Sequence, residues 1–336
     1  MYALILCWVQ MLEGVTGEMQ KNSEVRHGES LNVSEMIAQN KNKKSISNLV
    51  EKLIPTFLFL LALITVLTTL GILYTLLSQA IEFFKQVPIW EFFTGTVLKP
   101  LSQNPEFGIL PLISGTLIST FIAMLVAGPI GLMSAVYLSE YASDNVRRVL
   151  KPMLEILAGI PTIVYGFFAF TFVTPLIREI WPDVGATNIL SPGLVMGVMI
   201  IPMIASLSED AMTSVPNAMR EGSLAMGATK LETTFKVVIP AAFSGIIASF
   251  VLGISRAIGE TMIVTIASGS SKNFTFDITQ SMQTMTAYIV EVSGGEAPAG
   301  STIYYSLYAV ALTLFVFTLI MNLLARYVSR KFREEY

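Results

Sequence analysis

The sequence predicts an all-α membrane protein with six transmembrane helices, and three observations carry that prediction. Of 336 residues, 53% are hydrophobic and 13% charged, with a mean hydropathy of +0.65. A soluble domain carries about 25% charge, so this composition cannot supply a water-facing surface. Six stretches nearly free of Asp, Glu, Lys and Arg reach the roughly 20 residues that cross a 30 Å hydrocarbon core. None of them alternates apolar and polar residues as a barrel strand does, which leaves helices as the spanning element. A net charge of -3 and one His give no basic footprint for nucleic acid. The single Cys7 allows neither an internal disulfide nor a cysteine metal cluster, and no cofactor is expected.

Residues 1–48 read as a disordered cytoplasmic tail ahead of a transmembrane domain over residues 49–336. Met1 to Leu12 is apolar but gives way to Glu13, Glu18, Glu24 and Glu29. It has no basic leader and no small-residue cleavage site, so a signal peptide is the weaker reading. A start at Met19 or Met36 would leave every span intact.

The spans follow in order: Leu53 to Ile81, Phe107 to Ser139, Ile156 to Ile177, Val184 to Ser208, about Val237 to Ser271, and Ala297 to Ala325. The fifth is interrupted by Arg256 and Glu260. Residues 82–106 mix Phe83, Phe84, Trp90, Phe92 and Phe93 with charges, which predicts an interfacial segment with its rings at headgroup depth. Residues 272–296, with Gly294 and Gly295, predict a flexible outside loop.

Basic residues set the orientation, because Lys and Arg are retained on the cytoplasmic side. With both termini inside, Lys85, Lys99, Arg178 and Lys272 are outside, Arg256 lies within a span, and every other Lys and Arg of the 21 is cytoplasmic.

The cytoplasmic loop 209–240 predicts two short helices. Pro216 suits a first helical turn, where its missing N–H costs nothing, and Gly227 suits a helix end with left-handed backbone. Thr229 followed by Glu232 is a capping-box pattern. Leu231, Phe235 and Val238 then fall on one face, and Pro240 leads into span five.

Arg256 and Glu260 are charges inside a span. At i, i+4 on one helix they would share a face about 6 Å apart along the axis. A central charge costs roughly 2.5 to 3.5 kcal/mol on insertion scales, so both should face protein or water. Gly253 and Ala257 beside them would admit a neighbouring helix or a solute. A mutually neutralising pair that only joins helices is the plain structural reading.

Loop 209–240 also resembles the EAA loop of bacterial ABC importer permeases, whose pattern is E-A-A, three residues, G, nine residues, I-x-L-P. Here it reads Glu221-Gly222-Ser223, then Gly227, then Val237-Val238-Ile239-Pro240. Gly and Ser replace the two alanines; both are small, and Gly222 weakens the helix by about 1 kcal/mol. Gly108-Ile109-Leu110-Pro111, Gly128-Pro129-Ile130-Gly131, Tyr137 to Ala142, Leu157 to Pro161 and Arg256 to Met262 extend the likeness over about residues 50–330. Together they resemble the phosphate permease family PstC, the GETM ending favouring it over the sister PstA.

This resemblance implies a type I ABC importer permease in the bacterial inner membrane that translocates inorganic phosphate and is not itself an enzyme. It also implies two copies of an ATPase docked on the 209–240 loop, a PstA-like partner permease and an external phosphate-binding protein. In keeping with that division of labour, no G-x-x-x-x-G-K-[ST] occurs in the chain. Arg256 and Glu260 would then be a transit site: the guanidinium offers bidentate hydrogen bonds to phosphate, and the carboxylate keeps the anion from staying. The alternatives are an ion-coupled secondary transporter, or an ABC permease for sulfate, molybdate or phosphonate.

Overall fold

The computed structural model describes residues 33–331, so the tail expected over residues 1–48 lies outside them for residues 1–32. From Val33 the chain is already helical: α1 (Val33–Gln86) runs for 54 residues, and no Gly or Pro interrupts residues 33–54. The chain divides into two units after Gly71. In the first, the side chains of residues 53–70 are exposed, an apolar surface suited to lipid.

In the second unit, α2 (Ile89–Thr94) and a small antiparallel pairing of β1 (Leu98–Lys99) with β2 (Glu106–Phe107) precede α3 (Leu110–Val136). The aromatic residues here pack inward. Phe83, Phe92 and Phe107 are buried in edge-to-face contact with Leu112, Tyr288 and Val310 around them, while Trp90 is exposed. Phe83 and Phe92 of the expected interfacial segment thus belong to a packed aromatic core, where edge-to-face pairs add about 0.5 to 1.5 kcal/mol to the area they bury, while Phe93, like Trp90, stays exposed.

α4 (Asp144–Gly159) is strongly amphipathic and ends where Ile160 turns extended before Pro161, as the proline ring requires of its predecessor. The Tyr165 hydroxyl donates to the Leu157 carbonyl at 2.8 Å and satisfies part of that open end. The span beyond it is α5 (Thr162–Phe168), a π-type turn and α6 (Thr174–Ile180), so span three starts later than Ile156.

α7 (Leu190–Thr213) packs along α3 at the centre of the fold. Small residues allow the close approach: a Cβ on Gly131 would meet Ile204 at 2.9 Å, and one on Gly197 would meet Val126 at 2.8 Å. After α7 come α8 (Asn217–Ala225), α9 (Lys230–Thr233), α10 (Phe243–Ile258), α11 (Met262–Ala267), α12 (Met285–Glu291) and α13 (Thr302–Lys331).

Among the described residues, five helices are long and apolar enough to span a membrane: Leu53–Gln86, Leu110–Tyr141, Thr162–Ile180, Leu190–Thr213 and Thr302–Leu324. A sixth span is counted if Lys230–Ala241 and Phe243–Ile258, bent by 71°, are taken as one. The flexible loop expected over residues 272–296 is corrected in part. Met282, Gln283, Met285 and Tyr288 are buried, and α12 packs against α13. Apolar Met and Tyr side chains drive that segment back into the protein instead of leaving it in solvent.

Candidate functional site

The expected Arg256–Glu260 pair on one helix face is not what forms. α10 ends at Ile258, with Gly259 as its C-cap, and Glu260 belongs to the break before α11. Glu260 is buried, and its carboxylate accepts backbone N–H groups from Met262 at 3.1 Å and Ile263 at 3.4 Å. A broken helix at membrane depth is tolerable only where the freed backbone groups find partners, and a carboxylate at the start of α11 supplies them. The Glu260 carbonyl accepts from the Thr286 hydroxyl at 2.7 Å, tying the break to α12.

Arg256 takes a different direction. Ile246, Ser249, Gly253 and Ala257 recur at helical spacing and are buried, Gly253 and Ala257 lying against Ile200 and its neighbours on α7. The Ser208 and Ser249 hydroxyls share a 2.7 Å hydrogen bond at the same interface. Arg256 lies on the flank of that face and is exposed to a cleft. Its guanidinium makes a 3.9 Å contact to Met199 Sδ, and among the described residues no carboxylate ion-pairs with it.

The cleft has a volume of about 420 Å³ between α4, α7 and α10, and Lys151, Glu155, Met199, Pro202, Glu209 and Arg256 line it. An open hollow of about 590 Å³ along one side of α4, lined by Arg147, Arg148, Lys151 and Glu155 among others, shares Lys151 and Glu155 with the cleft. Sequence reasoning missed Lys151 and Glu209.

Glu209, taken as the first residue of a loop, lies in the last turns of α7 with no solvent exposure. Arg147 and Lys151, one helical turn apart on α4, both ion-pair with it, Lys151 at 3.1 Å. Lys151 also reaches Asp210 at 3.1 Å. Burial disfavours the Lys151 ammonium, but its hydrogen bonds to Glu209 and Asp210 and their negative charges outweigh that and raise its pKa above the ordinary lysine value. The i, i+4 spacing of Arg147 and Lys151 was the signal available in sequence.

The 209–240 loop has the two expected helices. α8 starts after Pro216, and Gly227 turns the chain at φ +89°. The capping box is complete: Glu232 N–H donates to Thr229 Oγ1 at 3.2 Å, and Thr229 N–H donates to Glu232 Oε2 at 3.0 Å. Ser223 and Thr233 hydroxyls join the two helices at 2.9 Å.

The single apolar face expected for Leu231, Phe235 and Val238 does not form. A π-type turn over Thr234–Val238 buries Val238 and leaves Leu231 and Phe235 exposed. The extra residue in that turn rotates the register that a regular helix would keep. Glu221, Gly222, Gly227 and Pro240 are exposed, and Ser223 and Ile239 half-buried. Leu224 and the 89%-exposed Met226 give this loop an apolar knob, and Ile239 and Pro240 sit where the Lys230–Ala241 segment leads from it into span five.

Arg220 holds this knob to the fold. It pairs with Glu140 at 3.0 Å and donates to the Met212 carbonyl at 2.7 Å and the Val215 carbonyl at 2.5 Å.

Over residues 127–334 the chain matches the family described as binding-protein-dependent transport system inner membrane component. It is 32% identical over 309 residues to the probable ABC transporter permease protein YqgH of Bacillus subtilis (strain 168), across 91% of this chain and 99% of that one. It is 33% identical over 258 residues to the phosphate transport system permease protein PstC of Mesorhizobium japonicum, across 71% and 78%. Among solved structures it is similar to a bacterial alginate ABC transporter in complex with an alginate pentasaccharide-bound periplasmic protein. That match has a TM-score of 0.59 at 17% identity and covers 83% of this chain and 95% of the other. It is also similar to the inward-facing MetNI methionine ABC transporter, with a TM-score of 0.51 at 17% identity over 68% and 95%. At such identities these two likenesses speak for the fold alone. The fold and the sequence relatives agree, and the chain belongs to the family of binding-protein-dependent transport system inner membrane components.

Proposed function

We propose that the chain is the membrane-spanning permease subunit of an ATP-driven ABC importer that carries inorganic phosphate into the cytoplasm. The observation that carries this reading is Arg256: a permanently charged guanidinium on the wall of a transmembrane cleft, with no ion-paired carboxylate among the described residues. A cation so placed costs energy at rest and recovers it when an anion arrives. Bidentate geometry suits a tetrahedral oxyanion, and PstC-named relatives favour phosphate over other oxyanions. Glu260 contributes by fixing the break that ends α10 just beyond Arg256, not by pairing with it.

The loop of Glu221, Gly222, Ser223, Gly227, Ile239 and Pro240 is the docking surface for an ATPase subunit, two copies of which would serve this chain and a PstA-like partner permease. An external phosphate-binding protein would deliver the anion at the opposite face. Both termini are then cytoplasmic, with membrane lipid around the exposed apolar faces. ATP hydrolysis belongs to the separate ATPase.

Uptake of radiolabelled phosphate by the assembled complex tests this function. Arg256→Gln should assemble with its partners yet take up phosphate at least about tenfold more slowly. Uptake unchanged by Arg256→Gln in a complex of normal composition would refute the transit role.

A further inference from the structure

The cleft does not end at Arg256. It runs along α4 and α7 to Lys151 and Glu209, and Lys151 is shared with the open hollow on α4 that carries Arg147 and Arg148. Lys151 is thus the cation common to both spaces, and an anion leaving Arg256 by this route must pass it.

The side chains around Lys151 suit a brief contact. An ammonium has three N–H donors. One is donated to Asp210 at 3.1 Å, the charge is ion-paired with Glu209 at 3.1 Å, and no further acceptor faces the ammonium among the described residues. Lys151 is about 30% exposed, whereas Glu209 is wholly buried and is also ion-paired with Arg147. Arg147 keeps the buried carboxylate neutralised, so Lys151 can take a second anion without stranding Glu209 in low dielectric. The two carboxylates repel that same anion, which keeps its stay short.

We infer that Lys151 is a second, inner anion contact on the phosphate path, between Arg256 and the cytoplasm, with Glu209 and Asp210 tuning it for release. This rests on the transit reading of Arg256. It adds a specific expectation: weakening Lys151 slows movement, and removing the exposed carboxylate Asp210 also slows it, because phosphate is then held longer.

The test uses the full complex in liposomes with its binding protein, inorganic [32P]phosphate and ATP, and reads phosphate moved per ATP hydrolysed. Lys151→Gln should lower that ratio about tenfold, and Lys151→Arg should recover most of it. Asp210→Asn should lower the uptake kcat and the KM together, the pattern of tighter holding. Three results would overturn the proposal. One is an unchanged ratio in Lys151→Gln. Another is uptake restored by the double variant Lys151→Gln, Glu209→Gln, which marks a purely structural pair. The third is a defect in Lys151→Gln seen only in liposomes with anionic lipid, which assigns Lys151 to a headgroup. If Arg256→Gln also transports normally, the transit reading itself has failed; normal transport by Lys151→Gln beside a dead Arg256→Gln overturns the inner contact alone.

Discussion

Arg220 and Glu140, 80 residues apart in sequence, meet through a mostly buried ion pair in which two guanidinium nitrogens face the carboxylate. Glu140 lies in the π-type turn that ends the Leu110–Tyr141 span, and Arg220 lies on α8 of the docking knob. The same guanidinium donates to carbonyls of Met212 and Val215 at the end of α7. One side chain therefore fastens the knob to the ends of two central helices.

Removing either partner strands the other. Arg220→Ala should destabilise the protein by roughly 3 kcal/mol, whereas Arg220→Met with Glu140→Met should cost clearly less. Thermal unfolding of the detergent-solubilised complex measures both, and equal losses in the single and double variants would contradict the pairing.

Gly227 has positive φ and open space around it, so a substitution there is strained by backbone and not by contact. Gly227→Val should cost about 1 to 2 kcal/mol locally and yield a protein that inserts normally but couples poorly to an ATPase. Gly227→Asn should be milder, since Asn tolerates left-handed backbone. ATPase co-purification and transport equal to the parent in Gly227→Val would remove the basis for this role.

Much of this was legible in sequence. Hydropathy places the spans because lipid imposes one requirement on every residue of a helix, and local signals such as Thr229 with Glu232 or the Pro216 and Gly227 boundaries depend on neighbours a few residues away. The Arg256–Glu260 pair misled because helical spacing holds only while the helix lasts. What ends α10 is a set of backbone bonds to Glu260 and a Thr286 hydroxyl 26 residues downstream. The inward-packed residues of 272–296 and the burial of Glu209 likewise depend on partners distant in sequence, Arg147 and Lys151 in the second case.

Glu260→Ala removes the acceptor for the first N–H groups of α11. Hydrogen exchange over residues 262–267 should rise by about tenfold, the signature of a lost cap worth roughly 1 kcal/mol or somewhat more. Glu260→Gln keeps an acceptor oxygen and should exchange nearly as slowly as the parent. Unchanged exchange in both variants would show that the break is held by other contacts.

The capping box is pH-dependent in a defined direction. Glu232 is held below the usual carboxylate range by the Thr229 backbone N–H first, then by hydrogen bonds from Lys236 and the Thr229 hydroxyl. A depressed carboxylate pKa means that its stabilisation is fully present above the ordinary glutamate value and is lost as pH falls through the lowered one. Amide exchange at Thr229 and Glu232 should be protected at pH 7 and lose that protection below about pH 4. Glu232→Gln should flatten the pH dependence.

The missing methyl groups at Gly131 and Gly197 have a mechanical consequence. The Ile204 and Val126 side chains seat against these two glycines, so sliding α3 along α7 would drive a branched side chain out of its notch, and the two helices act as one stiff strut. Arg220 grips the ends of both. A push on the knob is therefore delivered to both helices at once, and it reaches α4 through Arg147 and Lys151 on Glu209 and Asp210, the Arg147–Thr213 hydrogen bond and the packing of Leu157 against the α7 cluster.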